Sequence, residues 1–244
     1  MNPHRRLLLA AIASMLVTAP ALAQKKPESG FDYNVISPAL PPESNTRVEV
    51  IEFFWYGCPH CYAFEPTITP WIKNLPGDVV FHRVPAVFHE SWAPHAKLYY
   101  ALEALGETDR LHKTIFDAIH QDKQQLATEA SIAEFLEKHG IPRKKFTDAF
   151  NSFTVQSKIQ RSLQLQAAYK IDGVPAMAVD GRYVTANTMV GGSHVAVLPV
   201  VDYLIAEARK QKKLPKAADD AGKQQKSSKP ADEKSKQKKS QQPK

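Results

Sequence analysis

Apolar positions in the first half of the chain alternate between strand-like runs and a helical segment. Residues 47–56 are β-branched and aromatic, as is typical of a buried strand, and residues 79–84 are predicted as a second strand. Between them a helical pattern extends to about Asn74, although Pro66 and Pro70 predict a kink or an early break. Two strands joined by a helix predict a parallel β-α-β unit with a right-handed crossover.

From about residue 91 to residue 169 the apolar spacing becomes helical, with breaks at Gly106, Gly140 and Pro142. Strand character returns on either side of Asp180-Gly181, a dipeptide that strongly predicts a β-hairpin. The helices are predicted over residues 93–105, 108–121, 128–139, 144–151, 153–170 and 195–210, and the hairpin strands over residues 176–179 and 182–185.

This order of elements predicts an α/β fold in which an inserted helical bundle interrupts a small sheet domain. We assign residues 24–90 and 170–211 to the sheet domain and residues 91–169 to the inserted helical domain. Residues 212–244 are rich in Lys, Gln, Ser, Ala, Asp and Pro and lack apolar periodicity, so we expect this tail to be disordered.

The net charge of +7 on the 244-residue chain is concentrated near its C-terminus. Residues 210–244 contain twelve lysines against four acidic residues, whereas the other 209 residues carry 20 basic and 21 acidic side chains. The body of the protein is therefore nearly neutral, and we expect no nucleic-acid partner.

The first 23 residues have the layout of a secretory signal peptide. Arg5 and Arg6 form the charged front, residues 7–17 the apolar stretch, and residues 21–23 an A-x-A cleavage site. The apolar stretch is short for a membrane-spanning helix, which needs about 20 residues. We therefore expect an exported, soluble mature protein in a compartment where disulfides persist. The lysine-rich tail is interpreted as a solvated spacer, with a salt-sensitive tether to anionic surfaces as the alternative.

The sequence C-P-H-C, residues 58–61, joins the first strand to the helix after it. Cys58 is placed at the helix N-terminus, where free N–H groups and the helix dipole favour a thiolate, and we expect its side chain to face solvent. Pro59 suits the first helical turn, and His60 adds a donor or a positive charge beside the sulfur. Cys61 is close enough to form a disulfide with Cys58 and is expected to be less exposed.

A stabilised thiolate favours the reduced form of the pair, so its disulfide is predicted to be an oxidant that donates disulfides. A static structural role is disfavoured because two intervening residues close too small a loop to stabilise the fold. A metal site is not expected either, since C-x-x-C supplies half of a zinc site and the histidines show no H-x3-H spacing. Most of these histidines are expected on the surface or on helix faces: His82, His89, His95, His112, His120, His139 and His194.

Two segments carry a resemblance to a known family, E-F-F-W-Y-G-C-P-H-C-Y-A-F-E over residues 52–65 and G-V-P-A-M-A-V-D-G-R-Y over residues 173–183. In this order around a helical insertion, they resemble the DsbA family of periplasmic thiol-disulfide oxidases. The resemblance implies a thioredoxin fold with an inserted helical domain and a redox-active Cys58–Cys61 disulfide. The lysine-rich tail and residues 83–92 depart from the best-known members, which leaves substrate preference open.

The resemblance also implies roles for residues outside the C-P-H-C motif. Val174-Pro175 resembles the loop whose proline is cis and lies beside the disulfide, so the Val174 backbone is expected to pair with an extended substrate. Glu52 resembles the family's buried acid, which could relay protons to and from Cys61. Arg83 lies where relatives carry a basic partner for that acid.

As partners, the resemblance implies reduced exported proteins as substrates and a quinone-linked inner-membrane oxidase of the DsbB type. We expect a periplasmic monomer that needs no cofactor. Two alternatives remain open, a disulfide isomerase or reductase on the same fold and a non-catalytic periplasmic chaperone.

Overall fold

A computed structural model describes residues 25–214, and within this range the protein has one five-stranded mixed sheet. The strand order is β1-β5-β4-β2-β3. Strands β2 and β3 pair in parallel, whereas the other neighbouring strands are antiparallel. The strands are β1 (Asn34–Val35), β2 (Val48–Phe54), β3 (Val79–Pro85), β4 (Ala176–Val179) and β5 (Tyr183–Ala186).

Strand β2 forms the centre of the protein, because all seven of its residues are buried and β3 and β4 flank it. Its side chains contribute to separate apolar clusters on the two faces of the sheet. Val48 and Val50 pack with α7, Ile51 and Phe53 pack on the opposite face, and Phe54 packs into the helical insertion. Burial on both faces explains why the apolar residues of the strand do not alternate with exposed ones, and it also buries the two glutamates of the strand, Glu49 and Glu52.

Helix α1 (Pro59–Lys73) connects β2 to β3 and contradicts the predicted early break, since it continues through Pro66 and Pro70; a kink at these prolines stays a prediction. Both prolines are on the exposed side of the helix. Water can therefore satisfy the carbonyl groups that lack an N–H partner. The opposite side buries Phe64 and Ile68, and this packing holds the helix together across the two prolines.

Between β3 and β4 the chain forms five helices, as the apolar spacing predicts, and the fold is that of a thioredoxin domain with a helical insertion. The domain boundaries at residues 90/91 and 169/170 stay a prediction. The helices that follow β3 are α2 (Ala93–Leu105), α3 (Thr108–His120), α4 (Glu129–Lys138), α5 (Arg143–Phe150) and α6 (Phe153–Ala168), and α7 (His194–Lys212) ends the described chain. Within residues 25–214, none of these helices is long and apolar enough to cross a membrane.

The start of the disordered tail was predicted too early, because Lys212 belongs to α7. Its side chain is 9% exposed, and its ammonium group pairs with the carboxylate of Asp180 and donates to the carbonyl oxygens of Ser44 and Arg47. The predicted signal peptide, residues 1–23, and the rest of the tail from residue 215 lie outside the described residues.

The hairpin predicted at Asp180-Gly181 is present, and both residues have a positive φ, 54° and 70°. These angles match the twist of the two flanking strands. The loop before β2 packs on this turn, where the Leu40 N–H donates to the Gly181 carbonyl at 2.9 Å. A Cβ atom on Gly181 would lie 2.4 Å from the Leu40 oxygen, so this position requires glycine for space as well as for φ.

We predict that Gly181→Ala lowers the free energy of unfolding by about 1–3 kcal/mol, because the methyl group meets the backbone oxygen of Leu40, a residue whose N–H is bonded to the Gly181 carbonyl. Urea denaturation at neutral pH measures the change. Gly77→Ala is the matched control, since its Cβ would meet nothing within 4 Å and its φ is not positive. An equal loss of stability in both variants would contradict the argument.

Candidate active site

Cys58 occupies the N-cap position of α1, directly after the turn that follows β2. Pro59 begins the helix, as its missing N–H predicts, and the backbone N–H of Cys61 donates to the Cys58 sulfur at 3.4 Å. Both cysteines are free thiols, which is the reduced form of the pair. Cys61 is fully buried, as expected, but Cys58 is only 7% exposed, so the prediction that its side chain faces solvent is wrong.

The surroundings of Cys58 lower its thiol pKa to about 6. The largest cause is the hydrogen bond between the two cysteine side chains, which outweighs the opposing effect of burial. The backbone N–H groups of Cys61 and His60 and the charge of the His60 side chain contribute further in the same direction. His60 therefore acts as the sequence predicts, although it is not the dominant influence.

The pKa of the Cys61 thiol is shifted in the opposite direction. Burial raises its thiol pKa well above the ordinary value, and the neighbouring Cys58 and the charge of Glu52 add to this effect. The surroundings thus favour a thiolate at Cys58, at the helix N-terminus, and burial favours a neutral thiol at Cys61. This is the asymmetry that an attacked sulfur and a resolving thiol require.

The loop before β4 covers Cys58 from the side of the sheet. The Cys58 thiol donates to the carbonyl oxygen of Val174 at 3.4 Å, and this contact explains much of the unexpected burial of the sulfur. The Val174–Pro175 peptide bond is cis, as the family resemblance implies. Val174 is half-buried and Pro175 is buried, so the Val174 backbone lies at the border of the site.

Glu52 is 1% exposed, and its carboxylate accepts a hydrogen bond from Arg83 Nε at 2.9 Å. Burial raises the pKa of Glu52 to about 7, with Arg83 opposing the shift. Arg83 compensates Glu52 only in part because it also donates to Glu65 at 3.1 Å. The buried position of Glu52 and the partner that the resemblance suggested are both present in the structure.

Glu52, Arg83 and Glu65 form a charge network. It continues from Glu65 through residues that the sequence analysis did not select. His112 Nε2 lies 3.2 Å from Glu65 and its Nδ1 lies 2.9 Å from the Tyr56 hydroxyl. Burial acts to raise the pKa of Glu65, but the His112 hydrogen bond and the charge of Arg83 lower it below the ordinary value. The spacing of Glu65, four residues after Cys61, was a usable signal, because it places both on one side of α1.

Two of the seven histidines, His95 and His112, are buried although they lie on helices. His112 lies within the charge network, and His95 is bonded through Nε2 to the Leu126 carbonyl at 2.9 Å. No sequence pattern distinguished these two from the exposed histidines. Their partners, Glu65 and Leu126, are 47 and 31 residues away along the chain.

A groove of about 530 Å³ borders Cys58, and aromatic side chains form much of its wall. The indole rings of Trp55 and Trp92 stack in parallel with centroids 3.9 Å apart. Gly57 lies against Trp55, and a Cβ atom there would be 2.3 Å from the indole. The groove is lined by Trp55, Cys58, Pro59, Phe88, His89, Trp92, Asp172, Gly173 and Val174.

Comparison with known proteins agrees with this geometry. Residues 78–198 match the family model described as DSBA-like thioredoxin domain, a range that begins after the two cysteines. The chain is 42% identical over 209 residues to the thiol:disulfide interchange protein DsbA of Burkholderia cepacia, covering 84% of this chain and 98% of the relative. The corresponding DsbA of Pseudomonas aeruginosa is 39% identical over 210 residues, covering 86% and 99%.

Solved structures show the same similarity. The crystal structure of Pseudomonas aeruginosa DsbA matches with a TM-score of 0.73 and 40% identity, over 77% of this chain and 97% of that one. Fold and site together define a thiol:disulfide oxidoreductase of the thioredoxin fold. The relatives are more specific, and the chain belongs to the DsbA family of thiol:disulfide interchange proteins.

For the reduced protein, we predict that thiolate absorbance at 240 nm rises with a midpoint near pH 6, where Cys58 ionises. Replacement of His60 by Ala removes a positive charge beside the sulfur and should raise this midpoint by about 0.5–1 pH unit. His139→Ala, in the helical insertion, should leave the midpoint unchanged. A midpoint above pH 8 in the unmodified protein would contradict the assignment.

Glu52 and Glu65 both pair with Arg83, and we predict that their ionisation has opposite effects on the free energy of unfolding. Between pH 4.5 and 7, Glu52 is ionised in the unfolded chain but keeps its proton in the folded one, so rising pH favours unfolding of the parent. Glu52→Gln removes this effect, and its free energy of unfolding should exceed that of the parent by about 1–3 kcal/mol at pH 7.

Glu65→Gln is the matched control, since the pKa of Glu65 is lowered in the folded protein. This variant should lose stability relative to the parent above about pH 4.5, where the folded carboxylate is stabilised. Urea denaturation of the reduced proteins at pH 5, 6 and 7 measures both differences. A Glu52→Gln difference that does not change with pH would show that Glu52 is already ionised throughout this range.

Proposed function

We propose that the protein donates its Cys58–Cys61 disulfide to reduced exported proteins and so introduces disulfide bonds into them. The observation that carries the proposal is the opposite pKa shift of the two thiols, lowered at Cys58 and raised at Cys61. A cysteine that is stable as a thiolate is a good leaving group, and a stable reduced form makes the disulfide a strong oxidant. Membership of the DsbA family supports the same direction.

The reaction starts from the oxidised pair. A substrate thiolate attacks Cys58 Sγ and forms a mixed disulfide with it, while the bond to Cys61 breaks and Cys61 leaves as a thiolate. Because the thiol pKa of Cys61 is raised, this thiolate takes up a proton at once. Glu52, buried nearby with a pKa of about 7, is the proposed proton donor.

In the second step another substrate thiolate attacks the substrate sulfur of the mixed disulfide. The bond to Cys58 breaks and Cys58 leaves as a thiolate, which the Cys61 N–H and the charge of His60 stabilise. The substrate has lost two electrons and gained a disulfide, and the protein holds both cysteines in the reduced form. Pro59 keeps the first turn of α1 in place during the exchange.

Substrate binding is proposed at the backbone of Val174, with Pro175 fixing the loop. An extended peptide that pairs with Val174 would place its cysteine beside Cys58, which already contacts the Val174 carbonyl. The aromatic groove would then receive apolar side chains that flank the substrate cysteine. Such side chains are accessible in unfolded proteins and buried in folded ones, so the groove favours substrates that are not yet folded.

The cellular setting is also part of the proposal. The predicted signal peptide and the family of relatives support a periplasmic location, where disulfides persist. A quinone-linked oxidase of the DsbB type in the inner membrane would reoxidise the pair by the same exchange chemistry. We propose that the protein acts as a monomer, without a nucleic-acid partner, a metal or another cofactor in the exchange itself.

We predict that the oxidised protein, mixed with a reduced unfolded substrate without any other oxidant, transfers one disulfide per molecule and becomes reduced. Cys58→Ser should lose this activity completely because no sulfur remains to be attacked. Cys61→Ser, loaded as a mixed disulfide on Cys58, should accumulate protein–substrate conjugates, which non-reducing gel electrophoresis detects.

Other outcomes of this disulfide-transfer assay would each indicate a different function. Activity retained in Cys58→Ser would exclude this mechanism. A pair that stays oxidised in a reducing glutathione buffer has a potential below that of glutathione and would indicate a reductase. Rearrangement of wrong disulfides without net oxidation would indicate an isomerase. Suppression of aggregation by a variant lacking both sulfurs, without any oxidation by the parent, would indicate a chaperone.

A further inference from the structure

A second cluster of ionisable side chains lies at the end of β2 that is away from Cys58. Glu49 is the second residue of β2, His82 lies on β3 in register with Ile51, and Glu43 belongs to the loop before β2. One ligating atom from each side chain, a carboxylate oxygen or an imidazole nitrogen, lies within 4.8 Å of the others. We refer to these three residues as the Glu43–Glu49–His82 cluster.

Glu49 is the unusual member, because it is a buried carboxylate without a cation. The residue is 8% exposed, and among residues 25–214 its side-chain oxygens have no hydrogen-bond or ion-pair partner. Arg161 and Lys212 act on it only through their charge, and Lys212 is already paired with Asp180. The Glu49 oxygens keep some contact with solvent, and a positive charge beside them would stabilise the ionised carboxylate.

A fourth carboxylate, already paired with Lys212, lies beside the three ligating groups. Asp180 lies next to Glu49, whose N–H donates to Asp180 Oδ1 at 3.4 Å, and the other oxygen of Asp180 is buried without a partner among the described residues. The only contact between Glu43 and His82 is a long one of 3.9 Å.

We propose that the Glu43–Glu49–His82 cluster binds a divalent transition-metal ion of the Zn²⁺ type. Two carboxylate oxygens and one imidazole nitrogen are suitable zinc ligands, and three protein ligands leave a fourth position for water. The imidazole favours a transition metal over Mg²⁺ or Ca²⁺, which prefer oxygen ligands throughout. The charge of the ion would supply the cation that the buried Glu49 lacks.

The spacing of the cluster fits a site that closes around its ion. Ligating atoms in a tetrahedral zinc site are about 3.4 Å apart, given bonds of about 2.0–2.1 Å to the metal. The Glu43 and His82 side chains are 58% and 45% exposed, so both can turn inward to reach this spacing. Glu49 stays fixed by the strand. The ion would then join the loop before β2 to two neighbouring strands and stabilise the folded protein.

The test is calorimetric titration of the oxidised protein, stripped of metal, with zinc chloride. The oxidised form is essential because the free thiols of Cys58 and Cys61 would themselves bind zinc. We expect one equivalent to bind, and the melting temperature to rise when zinc is added. His82→Ala and Glu49→Gln should each weaken binding at least tenfold and abolish the rise in melting temperature.

His139→Ala is the matched control, since it removes an imidazole from the helical insertion and should leave zinc binding unchanged. His82 is exposed, so its replacement tests the site even if Glu49→Gln impairs folding. Absence of binding to the oxidised protein, or binding retained in both variants, would overturn the proposal. Binding that appears only after reduction would place the zinc on the dithiol and would overturn it as well.

Discussion

The hydrogen bond between the Cys58 and Cys61 side chains, reinforced by the Cys61 N–H that donates to the Cys58 sulfur, is the interaction on which the chemistry of the protein depends. It exists because β2 ends just before α1 begins, so that Cys58 caps the helix and Cys61 lies one turn inside it. The same four residues thus place one sulfur at the positive end of a helix and the other in an apolar interior. The pKa values of two chemically identical thiols, three residues apart, are therefore shifted in opposite directions.

The helical insertion completes this arrangement from the opposite side. It supplies His112, which helps to keep Glu65 ionised, and Glu65 in turn shares Arg83 with Glu52. The ionisation of Glu52 is therefore coupled to His112, on helix α3 of the insertion. Because the insertion also covers the end of β2, the site combines a sheet that positions the sulfurs with helices that set the polarity around them.

Much of the fold was accessible from the sequence, because local patterns determine it. The boundaries predicted for α2 and β4 agree with the structure, and the Asp180-Gly181 turn was recognised from the dipeptide alone. The continuity of α1 was not predictable in this way, since it depends on which side of the helix faces solvent. Helix propensity is a local property, whereas the packing that overrides it is not.

In the active site, too, the features set by local sequence were predictable, and those set by contacts between distant residues were not. The C-P-H-C motif located both sulfurs and the direction of the pKa shift at Cys58, and the resemblance located Glu52 and Pro175. The burial of Cys58 was missed because it results from a contact with Val174, 116 residues away. His112 and the Glu43–Glu49–His82 cluster were missed for the same reason. Their partners meet only after the strands pair and the helices pack, and no spacing along the chain indicates such contacts.

The bonds of Lys212 divide the lysine-rich end of the chain into two parts with different physical roles. Its ammonium group joins the last turn of α7 to the Asp180 turn and to two carbonyl oxygens before β2. A protein that ended before this residue would retain the fully buried Asp180 carboxylate without its counter-ion, a change that costs several kcal/mol at comparable sites. One lysine of an apparently uniform basic run thus sets the minimum length of the folded unit, although composition alone groups it with its neighbours.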